Sequence, residues 1–280
     1  FLDTSFAKCG VIEKYSTADG EVVLQRPGQI RFVIQIPFIG QDVAQMTSDG
    51  RRFAVAVLKG DEKYRRFVRG SNEGEYGRVE GDGAAEPDCG GGDRGRERTM
   101  NVRTVSALSG LRPQHLTDAL LVPPIAEQGS DLVYARSESF EEEPDTRTGA
   151  KRGARVVRPY YVLAEVVPEG PNRARITRRF WFDRVGQVRL ARIQTYNDAG
   201  RLVTDVVYRN QQSFGEETPR LLPATVEITR PHDRYSLRIS YQAPDSVKVD
   251  QTWPGTAFEL KNDWNLPETD LDKQQSAQRP

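Results

Sequence analysis

The chain has 280 residues, with 40 basic and 40 acidic side chains, so its formal net charge at neutral pH is zero. A balanced charge leaves no global field to gather a polyanion, which argues against nucleic acid as a partner. Hydrophobic residues make up 37% and charged residues 29%, a mixture that folds with a well-solvated surface, and no apolar run approaches the ~18 to 20 residues that span a bilayer.

In chain order, the apolar residues recur mostly with period two, the pattern of strands with one buried face. Val22 and Leu24 alternate with Glu21 and Gln25, Pro27-Gly28 makes a turn, and Phe32, Ile34 and Ile36 alternate with Arg31 and Gln35, which predicts a hairpin. A strand over 42–47 leads through the Ser48-Asp49-Gly50 turn into Phe53, Val55 and Val57, and Gly60-Asp61 turns the chain again into a strand over 64–68. Residues 70–98 are Gly, Glu, Asp and Arg with few large apolar side chains, too polar to pack, and read as a flexible insertion.

The spacing of Leu111, His115, Leu116, Ala119 and Leu120 predicts a helix over 109–122, with Pro113 in its first turn and Pro123-Pro124 stopping it. A strand follows over 132–134. Residues 138–158, acidic then basic, read as a solvated hairpin tip or loop. Further strands are predicted over 160–167, 174–183, 187–196, 202–209, 224–230 and 235–241, with a last short one at Val247 and Val249. The connections at 183–186 and 197–200 are too short for parallel crossovers and require antiparallel neighbours.

The expected fold is therefore mainly β: a curled antiparallel sheet or incomplete barrel of about a dozen strands, with one or few helices covering its concave face. Residues 1–264 are read as a single domain and 265–280 as a polar tail, on the surface or disordered.

Little points to catalysis. His115 and His232 are the only histidines, one on the predicted helix and one in a turn, and neither belongs to a nucleophile or metal motif. No Gly-x-Ser-x-Gly elbow occurs, and the glycines around Cys89 lack the Gly-Lys-Ser/Thr of a phosphate loop. Cys9 and Cys89 lack zinc or haem spacing, and Asp82, Asp88 and Asp93 miss the spacing of a calcium loop, so neither a metal nor a cofactor is expected. The arginines over 173–179 alternate and read as a solvated face.

The order of these parts resembles the bacterial lipoprotein-carrier family of LolA and LolB, in particular its uncharacterised outer-membrane lipoproteins. The hairpin from Gly20 through Arg26-Pro27-Gly28 to Arg31-Phe32, followed by Ser48-Asp49-Gly50, is similar to the family's opening hairpins. Leu111-Arg112-Pro113-Gln114 with Asp118 to Leu121 resembles its helix segment. Phe182-Asp183 through Leu190, Asn197 to Gly200, Leu222-Pro223-Ala224 and Tyr235-Ser236-Leu237 resemble its central and closing hairpins. The likeness runs over roughly residues 11 to 250 and lies in the order of pieces that are individually ordinary hairpin chemistry.

The resemblance implies an incomplete barrel over an apolar cavity, a non-enzymatic protein facing the periplasm, and lipid or lipoprotein acyl chains as ligands. Two features depart from the family. Its long N-terminal helix has no counterpart here, and Lys8 stands before Cys9 where a lipobox has a small residue, so an anchoring cysteine would lie upstream of Phe1. A curled sheet with too few helices to fill it leaves room for hydrocarbon. The expected lining is Phe32, Ile34, Ile36, Phe53, Val55, Val57, Phe180, Phe182, Leu190, Val226, Ile228, Leu237 and Ile239. The alternative is an accessory scaffold that docks on other envelope or membrane proteins.

Overall fold

The computed structural model describes residues 2–8, 11–14, 17–60, 62, 65–74, 76, 112–122, 125, 131–145, 147–185, 187–215, 219–233, 235–241 and 247–278. The chain divides into two compact units: the first takes 1–123, 214–220 and 233–280, the second 124–213 and 221–232.

Unit 1 is built on a six-stranded sheet of β3 (Asp19–Gln25), β4 (Gln29–Gln35), β5 (Asp42–Ser48), β6 (Arg52–Val57), β7 (Arg66–Ser71) and β15 (Glu268–Asp270). The order is β15-β7-β6-β5-β4-β3, a meander of antiparallel neighbours with β15 parallel to β7 at one edge. Tight turns explain the meander. At Ser48-Asp49-Gly50 the Asp49 carboxylate accepts the N–H groups of Arg51 and Arg52, both at 2.7 Å, and Gly50 takes φ +97°, where a Cβ would be strained. The unit also holds β1 (Leu2–Lys8), between β2 (Val11–Lys14) and β14 (Tyr235–Ser240).

Cross-strand register gives this sheet one strongly apolar face. Val22, Phe32, Met46, Val55 and Val68 form a single row across β3 to β7, and Ile34, Ala44 and Val57 form the next. Helix α1 (Pro113–Leu120) lies on β4 and β5, with Leu116 and Ala119 fully buried. Two arginines hold its ends. Arg112, the N-cap residue, donates to the carbonyls of Gly74 and Tyr76 at 3.0 and 2.7 Å, and Arg26 in the β3–β4 turn donates to the carbonyls of Leu121 and Val122 at 3.1 and 3.4 Å. A cation at a helix C-terminus satisfies orphan carbonyls and complements the dipole. Arg26→Ala is expected to cost about 1 kcal/mol of unit 1 stability, read as a lower urea midpoint.

The opposite face is partly covered by the C-terminal segment. Phe67 and Ala56 pack with Leu266, flanked by Leu58 and Leu260, and a 3-10 turn, Gly255–Phe258, packs against β4 with Phe258 buried. Sequence reading places residues 265–280 on the surface or in disorder. They instead supply β15 and helix α2 (Leu271–Gln278), because Leu266 and Leu271 have apolar sites to fill. Asp272 at the start of α2 accepts from the Tyr76 and Ser71 hydroxyls, fastening the helix to the end of β7.

Unit 2 carries β8 (Val133–Pro144), β9 (Arg155–Pro168), β10 (Ala174–Asp183), β11 (Arg189–Tyr196), β12 (Leu202–Phe214) and β13 (Arg220–Arg230), ordered β13-β12-β11-β10-β9-β8. The mainly β, unclosed architecture with few helices agrees with the expectation from sequence. Residues 138–158, expected as a hairpin tip or loop, do belong to a hairpin, but its strands β8 and β9 are paired as far as Pro144 and Arg155, so most of the range is strand. Val247 and Val249 form no strand. The predicted helix is shorter, 113–120, with 109–111 outside the described residues.

Candidate functional site

Of the expected lining residues, Phe32, Ile34, Phe53, Val55 and Val57 come together on the apolar face of unit 1, each at most 6% exposed. Ile36 lies just past the end of β4 and is half-buried. Leu237 and Ile239 share one face of β14 and are also buried. In unit 2, Phe180, Val226 and Ile228 are buried core residues, while Phe182 is half-buried. Leu190 is set apart. It lines a groove with Trp181, which points to the face opposite Phe180, and a bulge between Trp181 and Phe182 shifts the register there.

The apolar track along β4 continues into solvent. Ile30, Phe32 and Ile34 are buried, Ile36 is half-buried, and beyond Pro37 the side chains of Phe38 and Ile39 stand fully in water at 104% and 72% exposure. The turn holding them is closed by the Gly40 N–H donating to the Ile36 carbonyl at 3.1 Å and the Ile36 N–H donating to Gln41 at 2.9 Å. Phe38 sits at φ +65°, a left-handed conformation that is rare for a bulky side chain.

Unit 2 holds a buried charge that the sequence reading missed. Glu165 is 3% exposed and accepts from Tyr134 Oη at 2.9 Å, Thr177 Oγ1 at 2.7 Å, and both Nε and Nη2 of Arg178. Burial on its own would raise the carboxyl pKa, but the hydrogen bonds from Arg178, Thr177 and Tyr134 together outweigh it and hold it below the usual range. The signal in the sequence was a lone glutamate within the apolar run Tyr160 to Val167. Arg178 is thus committed to Glu165 rather than to a solvated face, and Arg175 pairs with Glu169 and Asp198.

His115 hydrogen-bonds the Tyr235 hydroxyl at 2.8 Å, joining α1 to β14, and His232 is exposed in a turn of unit 2. Cys9, Cys89, Asp82, Asp88 and Asp93 lie outside the described residues.

These features define a mainly β protein with apolar sheet faces, an exposed apolar hairpin tip and, among the described residues, no helix long and apolar enough to cross a membrane. Among solved structures the chain is similar to a LolA superfamily protein from Nitrosomonas europaea, at 12% identity over 92% of this chain and 88% of that one, with a TM-score of 0.39. It is also similar to a domain described as an outer membrane lipoprotein-sorting protein from Vibrio parahaemolyticus, at 10% identity over 85% and 80%, TM-score 0.38. A DUF1329 family protein from Desulfovibrio piger follows at 11% identity over 85% and 80%, TM-score 0.35. No family profile and no curated protein matches the chain.

Proposed function

We propose that this chain is a non-enzymatic protein of the bacterial cell envelope, facing the periplasm, that takes up a lipid or lipoprotein acyl chain along the apolar sheet face of unit 1. The observation that carries the reading is the continuous apolar track from Ile30, Phe32 and Ile34 through Ile36 to the solvated Phe38 and Ile39. Two large apolar side chains held in water on a strained turn are favourable once hydrocarbon covers them, since burying each contributes about 1.5–3 kcal/mol. Each acyl methylene taken out of water against this exposed tip adds about 0.8 kcal/mol. The family resemblance of the hairpin motifs points to the same ligand class.

Native mass spectrometry after gentle purification, together with titration by a fluorescent fatty acid, tests the proposal. Lipid is expected to co-purify, and the double variant Phe38→Ser, Ile39→Ser is expected to bind the probe at least about tenfold more weakly. A protein that carries no lipid, leaves the probe unbound and instead retains a stoichiometric protein partner would replace this reading with that of a docking scaffold.

A further inference from the structure

One face of the unit 2 sheet carries a groove of about 400 Å³ whose charges do not cancel internally. Trp181 lies in its wall, its indole N–H donating to Gln194 Oε1 at 3.0 Å, and Tyr160 meets the indole edge-on at 5.7 Å between ring centroids. Three of the four lining arginines are already spent. Arg192 crosses the Trp181 ring at 5.6 Å and holds Asp205 through two bonds of 2.6 and 2.5 Å, Arg158 faces Asp183 at 3.4 Å, and Arg209 pairs with Glu227 at 3.4 Å.

The remaining charges are separated by sign. On β8, Glu143 accepts the Tyr160 hydroxyl at 2.6 Å and Glu141 accepts the Ser139 hydroxyl at 2.8 Å, yet neither carboxylate forms an ion pair with a described residue. Burial, then the adjacent Glu143 carboxylate, push the Tyr160 hydroxyl well above the ordinary phenol range, so it remains a donor. On β11, Arg189 donates Nη2 to Gln187 at 3.0 Å, pairs with no described carboxylate, and has a buried Nε without an acceptor. A guanidinium with no carboxylate partner has further Nη N–H groups to offer a ligand acid.

The geometry points to a binding site for a short peptide with free termini: its ammonium at Glu141 and Glu143, its carboxylate on Arg189, and its backbone along the Trp181 and Tyr160 wall. Glu143 and Arg189 lie three strands apart across the sheet and four residues apart in register, about 19 Å between backbones. An extended tripeptide of about 10 Å, with a hydrogen bond of about 3 Å at each end, spans most of that distance and leaves the rest to the two side chains. The site is distinct from the acyl track and stands or falls without it.

Isothermal titration with triglycine tests the site. Saturable binding is expected, weakened at least about tenfold when the peptide is N-acetylated or C-amidated, because each change removes one charge-assisted contact. Arg189→Gln and Glu143→Gln should give the same loss with an unchanged circular dichroism spectrum, and the blocked peptides put the same question to the unmodified protein should either variant fold poorly. Absent binding, indifference to both blocking groups, or tighter binding of glycerophosphoethanolamine than of triglycine would overturn the assignment, the last in favour of a lipid head group.

Discussion

Glu165→Ala is expected to lower the stability of unit 2 by about 3 kcal/mol, because it leaves Arg178 and two hydroxyls without the acceptor around which they are arranged. The Arg178 side chain is 21% exposed, so water recovers part of the loss and the effect falls at the low end of the range for breaking a buried ion pair. Glu165→Gln should cost less, since the amide keeps one acceptor oxygen. The pH dependence has a definite sign. The folded carboxyl titrates below its unfolded value, so its contribution is full above the unfolded pKa of about 4.3 and is lost as pH falls through the lower folded value. Wild type should therefore lose stability toward pH 3 more steeply than Glu165→Gln. Urea unfolding at pH 7 and pH 3 checks this, followed by Trp181 in a background where Trp253 and Trp264 are phenylalanine. Equal acid sensitivity of the two proteins would refute it.

Phe258→Ala is expected to destabilise unit 1 by about 3–5 kcal/mol, the usual cost of removing a fully buried aromatic side chain. Phe258 is 2% exposed on a 3-10 turn that has no side-chain cap, so little besides its ring fixes that turn against β4. Losing the ring should loosen the whole segment through Leu260 and Leu266 to β15. Faster amide exchange at Phe67, whose N–H donates to the Pro267 carbonyl at 2.9 Å, is the measurement that follows this segment specifically. A drop in thermal midpoint with protection at Phe67 unchanged would show that the turn is anchored by other contacts.

Much of the fold was legible because hairpin chemistry is local. Strand β10 runs over the predicted residues 174–183, and the Ser48-Asp49-Gly50 turn forms where the sequence puts it, since alternation and turn residues act within a few positions of one another. The long β8–β9 hairpin was read only as a solvated hairpin tip or loop, because its distal half is rich in charge. Its support is cross-strand, as in Arg155 with Glu142 and Tyr160 with Glu143, and such pairs leave no period in the sequence. The candidate lining residues were legible as apolar alternation in each strand, and five of them do share one face of unit 1. Leu190 was placed by a bulge that alternation does not foresee.

The sequence by itself determined the strand-rich class, the antiparallel neighbours and which side chains leave water, because these depend on local periodicity and short connections. Tertiary structure alone decided that a polar tail would become an edge strand, that Glu165 and Arg178 would neutralise each other inside unit 2, and that Phe38 and Ile39 would end an apolar track in open solvent. Each of these depends on a partner or a register distant along the chain, and the interaction exists only once packing has brought the two together.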